Sequence, residues 1–472
     1  MDSRNRFPES FETMTRPMLS RRELVILCLA FLVSLPAVTT RLYASDEIEH
    51  FAWLRSIAFD RDVNFENEYQ YFFDANVARS EGFHETFLER VNETGQRLNY
   101  APIGAAVVWA PFYAVGHVVA LATGAPADGF SQPYISAISY GSAFYGFAAV
   151  VLSALIARRL VGRGLLASIV ILIGTPLVFY AYVAPGFGHA ASAFCVSLFV
   201  WVWLRARERW TVRDGVLLGL AGGLMTLVRE QDVLLVIGPG LDFLMHASAA
   251  MRAPGNAGAL RRTLNTAFAG TLAFLIGVTP QLLAYKALNG HFGPTASAAN
   301  KLSWSSPHGL SVLFSPEHGL IAWTPLVLLA LAGLVALARS SNNQASRVAV
   351  LALLMVAAQA YTSGVVESWT VAGSFGQRRF IALTPLLVIG LAALLTTPRA
   401  PLVRRLLVFA TALCVWWNVG LMVQFGLHTM DRQKLTLAEN ARATFLELPF
   451  EAPRIAWRYL TDRSSFYKLN RQ

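Results

Sequence analysis

The chain never runs 100 residues without a stretch of about 20 mostly apolar residues, the length that crosses a bilayer as a helix. Such stretches fall at about 24–41, 134–157, 164–183, 188–204, 214–229, 232–247, 265–285, 318–338, 348–363, 380–396 and 406–427. They leave no room for a separate water-soluble catalytic domain. With 55% hydrophobic and 14% charged residues, the composition agrees, being too apolar for an ordinary soluble domain. The expected fold is an all-α polytopic membrane protein with about 11 transmembrane helices, or 12 if residues 104–122 also cross.

Charge supplies the orientation. The net charge of +10 comes mainly from arginine. The arginines cluster between spans, as topology signals do, rather than forming a nucleic-acid surface, so no nucleic-acid partner is expected. Arg158, Arg159 and Arg163 fill one connection, and Arg205, Arg207, Arg209 and Arg213 fill another. Arg252, Arg261 and Arg262, then Arg339 and Arg347, then Arg399, Arg404 and Arg405 continue the series. Every second connection is arginine-bearing, and Arg16, Arg21 and Arg22 put the N-terminus on the same, cytoplasmic side. That alternation holds only if 104–122 lies in the membrane plane or re-enters. Pro102, Pro111, Trp109, Tyr113 and His117 favour that course. The first span is preceded by polar residues and has no cleavage site behind it, so it is expected to remain as an anchor. Cys28, Cys195 and Cys414 lie singly in apolar runs and show neither disulfide nor metal spacing.

The first outer loop, about 42–133, therefore holds most of the early polar chain. Twelve acidic residues and six arginines lie between positions 41 and 103. Ile48, Phe51, Leu54 and Ala58 recur at helical spacing, which predicts an amphipathic helix over 47–59 lying on the membrane, with Glu49 at its surface. Asp46 and Glu47 stand at the head of that helix, at the bilayer boundary. A carboxylate there can take a proton from an attacking hydroxyl or hold a divalent cation. It can equally be an acidic helix cap.

Three further groups stand out. Arg229-Glu230-Gln231-Asp232 interrupts two short apolar runs, a costly placement unless the residues line a polar site or pair with one another. Arg229 suits a phosphate because its guanidinium is permanently charged and forked. His189 follows Ala184-Pro185-Gly186-Phe187-Gly188 at the outer start of a span. Arg378 and Arg379 fall on the outer side against the charge rule, so they need a local anion or head group.

The order of these features resembles the GT-C glycosyltransferase superfamily, which includes protein O-mannosyltransferases and bacterial aminoarabinose transferases. The resemblance rests on Asp46-Glu47 after the first span, the long outer loop with its juxtamembrane helices, and Asn99-Tyr100-Ala101-Pro102-Ile103-Gly104. Leu227-Val228-Arg229, the loop at about 286–317, and Gly373-Ser374-Phe375-Gly376-Gln377-Arg378-Arg379-Phe380 leading to Pro385 complete it. It covers the chain to about residue 390. The resemblance implies a sugar taken from a polyprenyl-phosphate donor outside the cytoplasm. Asp46 would be the catalytic base with Glu47 beside it, and Arg229 would approach the donor phosphate; Arg378 and Arg379, outside against the charge rule, are further candidates to bind that phosphate. Two departures stand: His189 occupies a loop that often offers an acid, and Asn99-Tyr100-Ala101 replaces a lysine that commonly precedes the proline.

The organisation expected is a cytoplasmic tail (1–23), a GT-C-like module (24–285), a second outer loop (286–317), C-terminal spans (318–427) and a tail (428–472). The expected activity is inverting transfer of a sugar to a glycan, lipid or protein hydroxyl at the outer face of a bacterial-type inner membrane. Membrane lipid is a further partner, a divalent metal is permitted but not required, and no protein metal site is expected. A transporter or flippase of lipid-linked sugars, or a non-catalytic scaffold, are the alternatives.

Overall fold

In a computed structural model of the chain, residues 19–253, 258–305, 307–371, 373–397, 400–463 and 465–466 are described. Arg16 and Arg399 lie outside them. The described chain is helical and has no strand among its described residues beyond isolated bridges, one of them the antiparallel pair Val91 and Arg97. Its principal helices are α1 (Arg21–Ser34), α2 (Ser45–Arg55), α3 (Glu66–Asp74), α4 (Gly104–Thr123) and α5 (Gln132–Val161). Next come α6 (Leu165–Gly174), α7 (His189–Ala206), α8 (Val212–Val228), α9 (Ile237–Arg252) and α10 (Ala259–Asn289). The last are α11 (Leu326–Ala338), α12 (Asn343–Val365), α13 (Thr384–Thr396), α14 (Pro401–Leu427) and α15 (Leu448–Thr461).

Among the described residues, eight helices are long and apolar enough to cross a membrane. They are α4, α5, α7, α10, α12 and α14, together with α9 and α13 counted with their 3-10 lead-ins. α6 and α11 are shorter apolar helices. Several expected spans are interrupted, and proline is the common cause. α1 stops short of Pro36, α6 stops at Gly174 two residues before Pro176, and Pro325 starts α11 afresh after the short turn Leu320–Trp323. The stretch at 104–122, expected to lie in the membrane plane or to re-enter, is one continuous helix, α4, with Pro111 inside it.

The chain divides into two compact units. One comprises Val38–Gly146 and Tyr180–Leu302, and carries the long loop. Its centre is the parallel pair α8 and α10, brought together by glycines at four-residue spacing. A Cβ on Gly215 would sit 2.7 Å from the Thr266 carbonyl oxygen, and one on Gly223 would sit 2.8 Å from Gly277 Cα. α4 runs antiparallel to the first half of α5. The Tyr145 hydroxyl donates to Val108 O, Phe112 packs on Gly141, and Gly116 meets Ala137 and Tyr134.

Around α2 the expectation needs correction. Residues 47–54 of this helix are all buried, so it is no amphipathic surface helix. It ends at Arg55, continues as a wide turn over Ser56–Asp60, and reverses at Arg61 with φ 59°. Glu49, expected at the surface, is 5% exposed, and its carboxylate accepts from Tyr100 N at 2.6 Å. Its partner belongs to a backbone strap, Leu98–Ile103, that is tied along its length. Tyr69 Oη donates to Leu98 O, Asn99 Nδ2 to Glu49 O, and Trp53 Nε1 to Ala101 O, all within 3.0 Å. Ile103 N donates to Gln281 Oε1 on α10 at 2.9 Å.

The other unit comprises Met1–Ala37, Phe147–Phe179 and Ser303–Gln472. Here α1 lies antiparallel to the second half of α5. Arg158 pairs with Glu23 at 2.9 Å, and Phe31 stacks on Phe147 at 4.6 Å. Gly333 and Gly390 bring α11 and α13 into backbone contact. α15 is amphipathic, with Phe450 and Trp457 exposed, and its Tyr459 hydroxyl donates to Ala37 O at the far end of α1.

Candidate functional site

Glu47 is the third residue of α2 and is fully buried. Its Oε2 accepts from Tyr43 N at 2.9 Å and Ala44 N at 3.2 Å, closing the N-terminus of α2. Its Oε1 accepts from Gly186 N at 3.1 Å, 139 positions away. A Cβ on Gly186 would stand 2.8–2.9 Å from the Glu47 side chain, so only glycine fits. The turn is held from the other side by Ser142 Oγ, which donates to Pro185 O at 2.7 Å. Gly188 then takes φ +71°, leaving room for His50, and starts α7. Glu47 thus clamps the head of α2 to the turn that presents His189. Its carboxylate is engaged by three backbone amides, whereas the neighbouring Asp46 is only half-buried.

Burial pushes the Glu47 carboxyl up to about 8 from 4.5. The three amide donors pull the other way, and Asp46 adds to the rise. Below pH 4.5 the folded and unfolded chains both hold this proton. Between 4.5 and 8 the unfolded chain releases it first, so stability falls as pH rises and levels off above 8. The thermal midpoint is therefore expected to drop across that window, and Glu47→Gln to flatten the drop. Glu68, raised to about 7 by burial against the Arg55 ion pair, accounts for part of what remains. An unchanged profile in the variant would place the dependence elsewhere.

His189 is 4% exposed, packed edge-on to Tyr180 at 4.7 Å and parallel to Phe187 at 6.2 Å. Its Nδ1 meets the Arg229 guanidinium. A guanidinium has only donors, so Nδ1 is the acceptor and the ring proton sits on Nε2. Arg229 ends α8 in an extended conformation (φ −147°, ψ 111°), and its carbonyl accepts from Asp232 N at 3.0 Å. Asp232 is fully buried: Oδ2 accepts from Ser192 Oγ at 2.7 Å, while Oδ1 has no hydrogen-bond partner among the described residues. Glu230 receives the Tyr285 hydroxyl from α10.

One unit therefore gathers Asp46, Glu47, His189 and Arg229. Arg378 and Arg379 belong to the other. Arg379 is committed there to the end of α12, donating to Ser363 O and Ser368 Oγ, each at 3.2 Å. Arg378 is half-buried. Sequence reasoning missed Ser142, Ser192, Gln281 and Tyr285, hydroxyl and amide groups scattered singly in apolar helices. Among the described residues no three His, Cys, Asp or Glu side chains gather as a metal site would need.

No family model matches the chain, and no curated protein does. Among solved structures, the crystal structure of ArnT from Cupriavidus metallidurans bound to undecaprenyl phosphate does match. It superposes with a TM-score of 0.51 at 15% identity, covering 92% of this chain and 73% of that one. ArnT is a GT-C protein. The chain has the GT-C fold. Within that fold, Glu47 ties the head of α2 to the turn before α7, and His189 ties α7 to the break after α8.

Proposed function

We propose that this protein is an inverting glycosyltransferase that moves a sugar from a polyprenyl-phosphate donor to an acceptor hydroxyl at the outer membrane face. The observation that carries the reading is the presence, in one unit of a GT-C fold, of both a half-buried carboxylate at the head of α2 and an arginine at a helix break. ArnT, the similar structure, was solved with undecaprenyl phosphate bound. In the reaction, Asp46 accepts the proton of the acceptor hydroxyl as its oxygen bonds to the anomeric carbon. The bond from that carbon to the phosphate oxygen breaks, and the electron pair leaves on the phosphate beside Arg229. A single displacement inverts the centre. Glu47 positions Asp46, and His189 orients the guanidinium. Arg378 remains a second candidate for the phosphate, whereas Arg379 serves α12. Purified protein given synthetic polyprenyl-phosphate sugars should release polyprenyl phosphate in step with acceptor glycosylation. Donor binding without sugar loss across a donor panel would return the reading to transport.

The same reading sets the topology. Under it, α1 and the second half of α5, which are antiparallel, cross in opposite senses, and the chain between them, α4 included, starts and ends on the outer side. α15, at the Ala37 end of α1, shares the face. In cells, a cysteine placed at Gly124 should react with an impermeant reagent from outside. Reaction only after permeabilisation would make α4 a span.

A further inference from the structure

At the arginine-bearing end of the unit that holds both termini lies a cavity of about 620 Å³. Its walls are mostly aliphatic, from α6, α13 and α14, and Arg158, Arg163 and Arg404 stand in its lining. Arg158 is paired with Glu23. The guanidinium groups of Arg163 and Arg404 are exposed and make no hydrogen bond or ion pair with a described residue. Two helix beginnings meet the same space. α6 starts at Gly164 with no side-chain cap, leaving its first amides without a capping acceptor. Arg404 sits in the first turn of α14, where the helix field disfavours a cation. A group with negative charge and greasy tails answers all of these features together.

We infer that this cavity binds an anionic phospholipid, its phosphate between Arg163, Arg404 and the start of α6, and its acyl chains along the aliphatic wall. Free phosphate would satisfy the arginines and leave that wall in water. The site belongs to the other unit from Asp46 and plays no part in sugar transfer. The test uses the full chain in mild detergent, with lipid retention read by native mass spectrometry. Wild type should hold phosphatidylglycerol in preference to phosphatidylcholine. Arg163→Ala/Arg404→Ala should lose roughly ten- to thirty-fold of that preference, the effect of two cations at a membrane surface. Arg261→Ala/Arg262→Ala, which removes the same charge elsewhere, should keep it. Retention of the preference in the first variant, an equal loss in the second, or displacement of the lipid by inorganic phosphate alone would each overturn the site.

Discussion

Asp46→Asn is expected to lower sugar transfer by about 10²- to 10⁴-fold while leaving the protein folded, because the amide keeps the shape but cannot take a proton. The two effects separate cleanly in size. An acidic residue in the first turn of a helix stabilises it by about 0.3–1 kcal/mol, so the thermal midpoint should move by little. Losing a general base costs several times that in the transition state. The contrast with Glu47 sharpens the test. Glu47→Ala strips the acceptor from three amides, each costing about 1–3 kcal/mol if left unsatisfied, so its loss of activity should follow a loss of folded protein. Asp46→Asn with transfer within threefold of wild type would remove Asp46 as the base.

Arg229→Ala should produce the second largest effect. A charged hydrogen bond contributes about 1.5–3 kcal/mol, so donor affinity should fall by roughly 10- to 150-fold. Because negative charge grows on the phosphate as the bond breaks, kcat should fall as well. Arg229→Lys keeps the charge but not the fork, and is expected to recover part of the affinity and little of the rate. Lysine at this position also keeps a donor for His189, so poor folding is not its expected defect. Unchanged affinity for polyprenyl phosphate in both variants would move the phosphate elsewhere, with Arg378 the next residue to test.

The all-helical, polytopic character was legible because hydropathy and length are local properties, and eight of the helices are long and apolar enough to cross where about eleven were expected. Asp46, His189 and Arg229 could be singled out for the same reason: each is a polar residue at the edge of an apolar run. What stayed hidden was long-range. Glu47 and Glu49 look like solvated charges until Gly186 and Tyr100 bring their amides to them. Arg379 looks like a solvent-facing cation until Ser363 and Ser368 engage two of its donors. In both cases the partner is a backbone group or a small hydroxyl, which leaves no mark in composition or spacing. The breaks in the spans were written in Pro36, Pro176 and Pro325, but a hydropathy window averages over a single proline.

The strap at Leu98–Ile103 bears on how much sequence change this fold can absorb. The strap offers its neighbours carbonyls and amides at Leu98, Tyr100, Ala101 and Ile103. Every residue but proline carries both groups, so substitutions at these positions can accumulate without loosening the attachment. A lineage built on such joints can drift in its letters while its architecture stands still.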